Sequence, residues 1–370
     1  MLPSIIIFFI VLSVLVLIHE LGHFLAAKKS NILVEEFGLG YPPRIWGKKI
    51  GETIYSLNWI PFGGFVKLFG QELEEEGKIP AKLQKRAFFK QSKLARASVL
   101  LAGVFGNFIL GITCFTIIYS KTGIPQKLNT VKVVDIMPES PAAIAGLVKD
   151  DEINGVNGEP IYSTEEFIKK VENQKGQIVT LKTNKGDLAL TVRENPPEGE
   201  GRLGVVITDV KMVFYPWWKM IFWSVIEGTK EAVSWGLLIA DGLVLTIKQL
   251  FMGIVPQVAG PVGIYQITAM AARQGYLELL QFVGFFSINL AILNLVPFPG
   301  LDGAHLVFVF IGDWMGKKRR LVIERTMNMT GFFILISLML LVTIGDIMRL
   351  LKTVSLPNFL HFSFLQPFFK

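Results

Sequence analysis

Four long stretches of this chain carry no charged residue, and they constrain its fold more than any other feature. They are Leu2–Ile18, Ala97–Ser120, Leu279–Leu301 and Thr326–Gly345, and the first runs on through a short polar motif to Ala27. A helix needs about 20 apolar residues to cross a bilayer. Lipid cannot satisfy a bare backbone, so such stretches must be helical. The expected fold is therefore a polytopic α-helical membrane protein with four transmembrane helices. Composition agrees: 18% of the 370 residues are charged and 51% are apolar, whereas soluble domains carry about 25% charge. That disfavours a soluble enzyme, a disordered chain and a nucleic-acid binder, and the net charge of +7 is too small to argue otherwise. The single Cys114 excludes an intrachain disulfide framework and a Cys-rich zinc finger. The first stretch has no basic leader and no small-residue cleavage site before His19, so it reads as a retained anchor.

Charge sets the expected orientation. Residues 28–96 hold 13 Lys/Arg, and Lys317-Lys318-Arg319-Arg320 lies between the last two spans. Both loops are expected in the cytoplasm by the positive-inside rule. Residues 121–219 balance 13 Lys/Arg with 14 Asp/Glu and belong on the other side, with both chain ends. The expected division is a first span over 1–27, a cytoplasmic region over 28–96 and a second span over 97–120. An extracytoplasmic domain follows over 121–210, then an amphipathic or re-entrant segment at the membrane surface over 211–278. A third span covers 279–301, a basic cytoplasmic loop 302–325, a fourth span 326–345 and an extracytoplasmic aromatic tail 346–370. The surface reading of 211–278 rests on Asp241 inside the apolar run 232–247, and on Pro256, Pro261 and glycines 253, 260 and 263 after it.

Two extramembrane parts are legible. Residues 131–136, 178–182 and 187–192 alternate as strands do, and Ser163-Thr-Glu-Glu166 fits a capping box opening a helix through Val171. Ser140-Pro-Ala-Ala-Ile-Ala-Gly-Leu147, with Lys149-Asp-Asp-Glu-Ile153 and Val156-Asn-Gly-Glu159, resembles the typical stretch of a PDZ domain. That resemblance implies an inserted PDZ-like α+β domain, a fold that captures extended peptides or C-termini at a sheet edge. The bland alternative is a small β-rich domain with no peptide ligand. Earlier in the chain, Ile54–Leu57 and Gly64–Phe69 flank Pro61-Phe-Gly-Gly64, which signals an apolar hairpin over about 54–69. A free sheet edge is not tolerated in lipid. If the hairpin enters the membrane it must sit against helices or line a wet cavity, where its edge can pair with an extended substrate. The alternative is an ordinary cytoplasmic hairpin.

His19-Glu20-Leu21-Gly22-His23 is an H-E-x-x-H motif at the end of the first apolar stretch. Spacing of i and i+4 places both imidazoles on one helix face as metal ligands. Glu20, beside the first ligand, is placed to take the proton of the attacking water. Two His and one Glu in an apolar span are costly unless they serve a function. Catalytic zinc takes three protein ligands and keeps one position open. Asp302 is the expected third ligand. It follows Asn294-Leu-Val-Pro-Phe-Pro-Gly-Leu301, where Pro297 and Pro299 open the backbone and let a carboxylate turn inward. It shares the side and depth of His19 and His23 if 219–272 crosses the membrane zero or two times. His305 is the rival, and His361 lies in the tail on the wrong side.

These residues together resemble the RseP-type site-2 proteases, intramembrane zinc metalloproteases. HELGH in the first span, the PDZ-like insert, NLVPFPGLDG in the third span and a span behind it coincide over nearly the whole chain. The resemblance implies one Zn²⁺ per chain on His19, His23 and Asp302, with Glu20 catalytic. It implies substrate contacts from Asn289 and Asn294, and a membrane re-entrant β-structure at Gly63, Gly64 and Phe65. It also implies a multi-pass protein of the bacterial cytoplasmic (inner) membrane that cuts membrane proteins in or beside a transmembrane segment after another protease has trimmed them. Anti-sigma factors and remnant signal peptides are substrates of this type. The chain departs from many members in having room for one PDZ domain and not two, in Leu21 for a common Phe, and in LDGAH for LDGGH. Two other classes are weighed against this one. A catalytically silent, PDZ-presenting adaptor is disfavoured by the intact HExxH and Asp302. A metal transporter is disfavoured because one compact motif makes a poor ion pathway.

Overall fold

The computed structural model describes residues 2–71, 83–197, 199–254 and 259–352. The expected tail contributes only its first residues, and His361 lies outside the described part. The chain forms two compact units, one drawn from residues 1–121 and 221–356 and the other from 122–220.

The first unit is helical. It contains α1 (Leu2–Lys29), α2 (Lys93–Thr122), α5 (Trp217–Phe251), α6 (Pro261–Gln274), α7 (Tyr276–Leu295), α8 (Asp302–Ile311) and α9 (Lys317–Lys352). Among the described residues, α1, α2, α5, α7 and α9 are long and apolar enough to cross a membrane. That is five candidate spans where four were expected. The difference lies in 211–278, read from sequence as a surface segment. Residues 217–251 form one continuous helix of 35 residues. The sequence reading stopped at Asp241, which lies exposed on this unbroken helix, and at prolines and glycines that come only after its end at Phe251. The Glu231 carboxylate accepts hydrogen bonds from the Trp235 indole at 2.8 Å and from the Tyr119 hydroxyl at 3.2 Å. The expected loop at 302–325 is also largely helical, divided between α8, a short 3₁₀ turn over Gly312–Met315 and the start of α9.

Small residues bring the helices together, as close packing without a hydrophobic drive requires. A Cβ on Gly22 would strike the Ala102 carbonyl, and one on Gly106 would lie 2.8 Å from the Ile18 carbonyl oxygen, so α1 and α2 touch backbone to backbone. Gly284 of α7 packs against the side chains of Cys114 and Phe115 of α2. The buried Ser287 hydroxyl donates to the Asn107 carbonyl at 2.7 Å. Cys114 is a buried free thiol.

β1 (Val34–Ile50) and β2 (Thr53–Leu68) form a sheet in this unit, joined at Gly51-Glu52. Its register corrects the expected hairpin. Residues 54–57 and 64–67 do not pair with each other. Both pair with 36–39, which lies between them: Leu39 is opposite Leu57 on one side and Gly64 on the other. Pro61-Phe-Gly-Gly64 is thus a wide detour inside β2, with Gly63 at φ +95°, and the middle strand was hidden by the charges of Glu35 and Glu36. Glu52 fastens the turn by accepting from Arg86 at 2.6 and 2.7 Å and from Lys28 at 2.9 Å. The Arg86 guanidinium, aided by Lys28, holds its carboxyl down to about 2. Below the helices, Ala27, Ile32, Val34, Leu68, Phe88, Val99 and Val309 pack into one buried cluster that fixes this sheet against the ends of α1, α2 and α8.

The second unit is α+β. β3 (Ile124–Ile136), β4 (Glu152–Val156), β6 (Ile178–Thr183), β7 (Gly186–Thr191) and β8 (Val205–Val213) make a sheet in the order β7-β6-β4-β3-β8, and the short β5 (Glu159–Pro160) pairs with β4. α3 (Pro141–Ile144) and α4 (Thr164–Glu172) complete it. Its core holds Val131, Val133, Ile153, Ile161, Phe167, Val179 and Leu181. Ser163 caps α4 by accepting from the Glu166 amide at 3.2 Å, and Glu166 accepts in return from the Tyr162 amide at 2.9 Å. The reciprocal pair is close to the expected box, displaced by one residue on the return arm.

Candidate active site

His19 and His23 lie one turn apart near the end of α1, and both are buried. α7 stops at Leu295, where Pro297 and Pro299 forbid a continuous helix. The chain turns through Gly300 at φ +93° and restarts with Asp302 as the first residue of α8. This break, which the sequence made legible, brings the Asp302 carboxylate to the two imidazoles.

The three side chains present a triangle of donor atoms. His19 Nε2 is 2.9 Å from Asp302 Oδ2, His23 Nε2 is 3.2 Å from the same oxygen, and the two Nε2 atoms are 3.0 Å apart. All lie within 4.8 Å of one another, and no other cluster of this kind occurs among the described residues. Two hydrogen bonds to Asp302 would leave two ring N–H groups facing each other at 3.0 Å, so protons alone satisfy the triangle poorly. Zinc bonds of about 2.0–2.2 Å in tetrahedral geometry separate ligand atoms by roughly 3.3 Å. The donor set and its spacing therefore fit zinc. The outer nitrogen of His23 supports the fit: Nδ1–H donates to the Val99 carbonyl at 2.8 Å, which leaves Nε2 free of a proton to bind metal. His305, on the next turn of α8, is not part of the triangle.

Glu20 is half-buried beside the triangle, close to the Val66 backbone. A Cβ on Gly64 would lie 3.4 Å from Glu20 Cγ, so the 64–67 stretch of β2 runs directly past this carboxylate. Of the three expected residues Gly64 adjoins Glu20, whereas Gly63 faces the Tyr41 ring and Phe65 stacks on it with centroids 6.4 Å apart. Asn289 and Asn294 are half-buried on α7, the helix that leads to Asp302, and neither belongs to the triangle.

Sequence reasoning missed Gly103 and Val99 of α2. A Cβ at Gly103 would collide with His23 Nε2 and lie 2.8 Å from His19 Cε1, so only glycine leaves space for both rings. The available signal was the row of small residues Ala102, Gly103, Gly106 and Gly111 inside this apolar span.

Known proteins resemble the chain over most of its length. The profile of peptidase family M50 matches residues 7–338. A Clostridium perfringens relative is 33% identical over 338 residues, covering 90% of this chain and 96% of its own length. The zinc metalloprotease RasP of Oceanobacillus iheyensis is 27% identical, over 94% of this chain and 99% of its own. The regulator of sigma-W protease RasP of Bacillus subtilis is also 27% identical, with the same coverage. With a family match across both halves of the triangle, the chain belongs to peptidase family M50, the site-2 zinc metalloproteases.

Proposed function

We propose that the chain hydrolyses a peptide bond in or next to the transmembrane segment of a pre-trimmed bacterial membrane protein, with His19, His23 and Asp302 holding one zinc ion and Glu20 as catalytic base. The observation that carries this reading is the triangle of donor atoms within 4.8 Å with Glu20 beside it. When bound, zinc acidifies water and polarises the scissile carbonyl. Glu20 accepts the proton of the attacking water and then delivers it to the leaving amide nitrogen. A transmembrane helix hides its amides in its own hydrogen bonds and must unwind before it is cut. The 64–67 stretch offers backbone groups for an extended segment to pair with, as in strand addition, and Asn289 and Asn294 on α7 supply side-chain amides to hold it. The sigma-W regulator among the relatives makes an anti-sigma factor a reasonable substrate class, with remnant signal peptides as a second. The test is cleavage of a transmembrane peptide by purified protein. A chelator should abolish cutting and zinc should restore it. Zinc-loaded, folded protein that cuts no transmembrane peptide would refute the reading.

The proposed location is the cytoplasmic membrane. Residues 28–96 face the cytoplasm, and the unit over 122–220, PDZ-like in sequence, lies outside. The zinc ligands then meet at one depth if α5 crosses the membrane and the chain recrosses it before α7, which is the two-crossing case. Cysteines introduced at Lys185 and Lys318, in a Cys114→Ala background, are expected to label from opposite faces. Labelling of both from one face would overturn the orientation.

A further inference from the structure

A histidine that binds zinc through one ring nitrogen almost always donates the other N–H to a partner, which fixes its tautomer and the direction of the ring. For His23 that partner is the Val99 carbonyl at 2.8 Å. His19 differs: its Nδ1 is buried and has no hydrogen-bond partner among the described residues. Asn107 of α2 is in the same condition. It is 0% exposed, and neither its Oδ1 nor its Nδ2 has a partner among the described residues. Only its backbone carbonyl is engaged, by the Ser287 hydroxyl at 2.7 Å. Buried polar groups are rarely left unpaired, because each one costs its full desolvation.

The helices place these two orphaned groups together. Val99, Gly103 and Asn107 follow one another at i, i+4 and i+8, so they share one face of α2. Val99 holds His23. Gly103 lies against both rings, and a Cβ there would be 2.8 Å from His19 Cε1, the atom bonded to Nδ1. Asn107 stands one turn further, about 6 Å along the axis. The contact of Gly106 with the Ile18 carbonyl sets this turn of α2 level with the turn of α1 that carries His19. A helical side chain leans over the turn N-terminal to it. For Asn107 that is the turn of Gly103, where a missing side chain leaves room beside the His19 ring.

We infer that Asn107 is the positioning residue of His19: its amide oxygen, through one buried water, receives the Nδ1–H of the imidazole and so turns a proton-free Nε2 toward the metal. The inference rests on the reading of His19 as a zinc ligand and adds the outer partner of that ring. A water suits the place because it accepts from Nδ1–H and donates to Asn107 Oδ1 at once, and buried waters typically make two to four such bonds. Asn107 is fully buried, so it meets no substrate and its effect must run through His19.

The test compares two variants of the full chain in detergent. Asn107→Leu keeps the bulk and the backbone carbonyl that Ser287 uses but removes the acceptor, whereas Asn107→Asp keeps the acceptor. Zinc affinity is measured by competition with a chromophoric chelator, and unfolding temperature on protein stripped of metal. Loss of an outer partner weakens metal binding by about 10–100-fold, and Asn107→Leu is expected to show that loss. Asn107→Asp is expected to hold zinc about as tightly as wild type. Stripped Asn107→Leu should unfold no lower than stripped wild type, since it exchanges an unpaired buried amide for an apolar side chain. Unchanged zinc affinity in Asn107→Leu overturns the inference. So does equal weakening in both variants, or an Asn107→Leu that fails to fold or melts well below stripped wild type, since each marks packing in place of positioning. Wild-type protein that binds zinc but cuts no transmembrane peptide would refute the proposed function and not this inference. Wild-type protein with no affinity for zinc would end both.

Discussion

Glu20→Gln is expected to abolish peptide hydrolysis while leaving zinc content near that of the wild type. The substitution keeps the side chain's shape and the Val66 backbone contact but removes the group that accepts a proton. Losing a general base costs about 10²–10⁴-fold in rate. Here one carboxylate is proposed to serve both the attacking water and the leaving nitrogen, so the loss belongs at the upper end or beyond. Glu20 follows His19 by one residue and is rotated by roughly 100° around the helix from it, so it approaches the reacting atoms without being a ligand. Because it does not hold the metal, the variant should trap uncut substrate, and the membrane peptide that co-purifies with it identifies what the enzyme cuts. A zinc-loaded variant retaining activity within about tenfold of wild type would remove Glu20 from the chemical step, since that is less than a base contributes.

How far the site could be read from sequence depended on how local its physics is. His19, Glu20 and His23 were legible because a helix turns i and i+4 to one face, whatever surrounds it. Asp302 was legible because two prolines and a glycine must break α7, and a carboxylate after such a break has a reason to be there. The partners across the fold were not legible. Gly103 matters because His19 and His23 need the volume a methyl would take, and no spacing rule joins residue 103 to residue 23. The Val66 contact depends on the register of the sheet, where 36–39 lies between 54–57 and 64–67. Alternation along one strand does not say which strand is its neighbour. α5 was read as a surface segment because of Asp241 and the prolines beyond it, yet Asp241 sits exposed on one unbroken helix and Pro256 and Pro261 come after that helix ends. By contrast, Ser163 as the cap of α4 followed from four consecutive residues.

Asp302→Ala is expected to lose both metal and activity, whereas His305→Ala keeps its zinc. Asp302 Oδ2 is the vertex shared by the 2.9 and 3.2 Å edges of the triangle, so its removal leaves two imidazoles. Catalytic zinc is held by three protein ligands. Altering even an outer-sphere partner weakens metal affinity by about 10–100-fold, so loss of a ligand should exceed that and leave the purified variant nearly zinc-free. The loss also exposes the packing problem that the metal is proposed to solve: with Asp302 gone, two buried ring nitrogens remain 3.0 Å apart. They must share one proton between them or swing away, and the missing side chain of Gly103 leaves space beside them. Asp302→Ala should therefore unfold at lower temperature than zinc-loaded wild type, but close to the wild type stripped by chelator. Metal analysis and thermal unfolding in detergent, run on both variants, check the assignment. Full zinc in Asp302→Ala, together with a metal-free His305→Ala, would transfer the third position to His305.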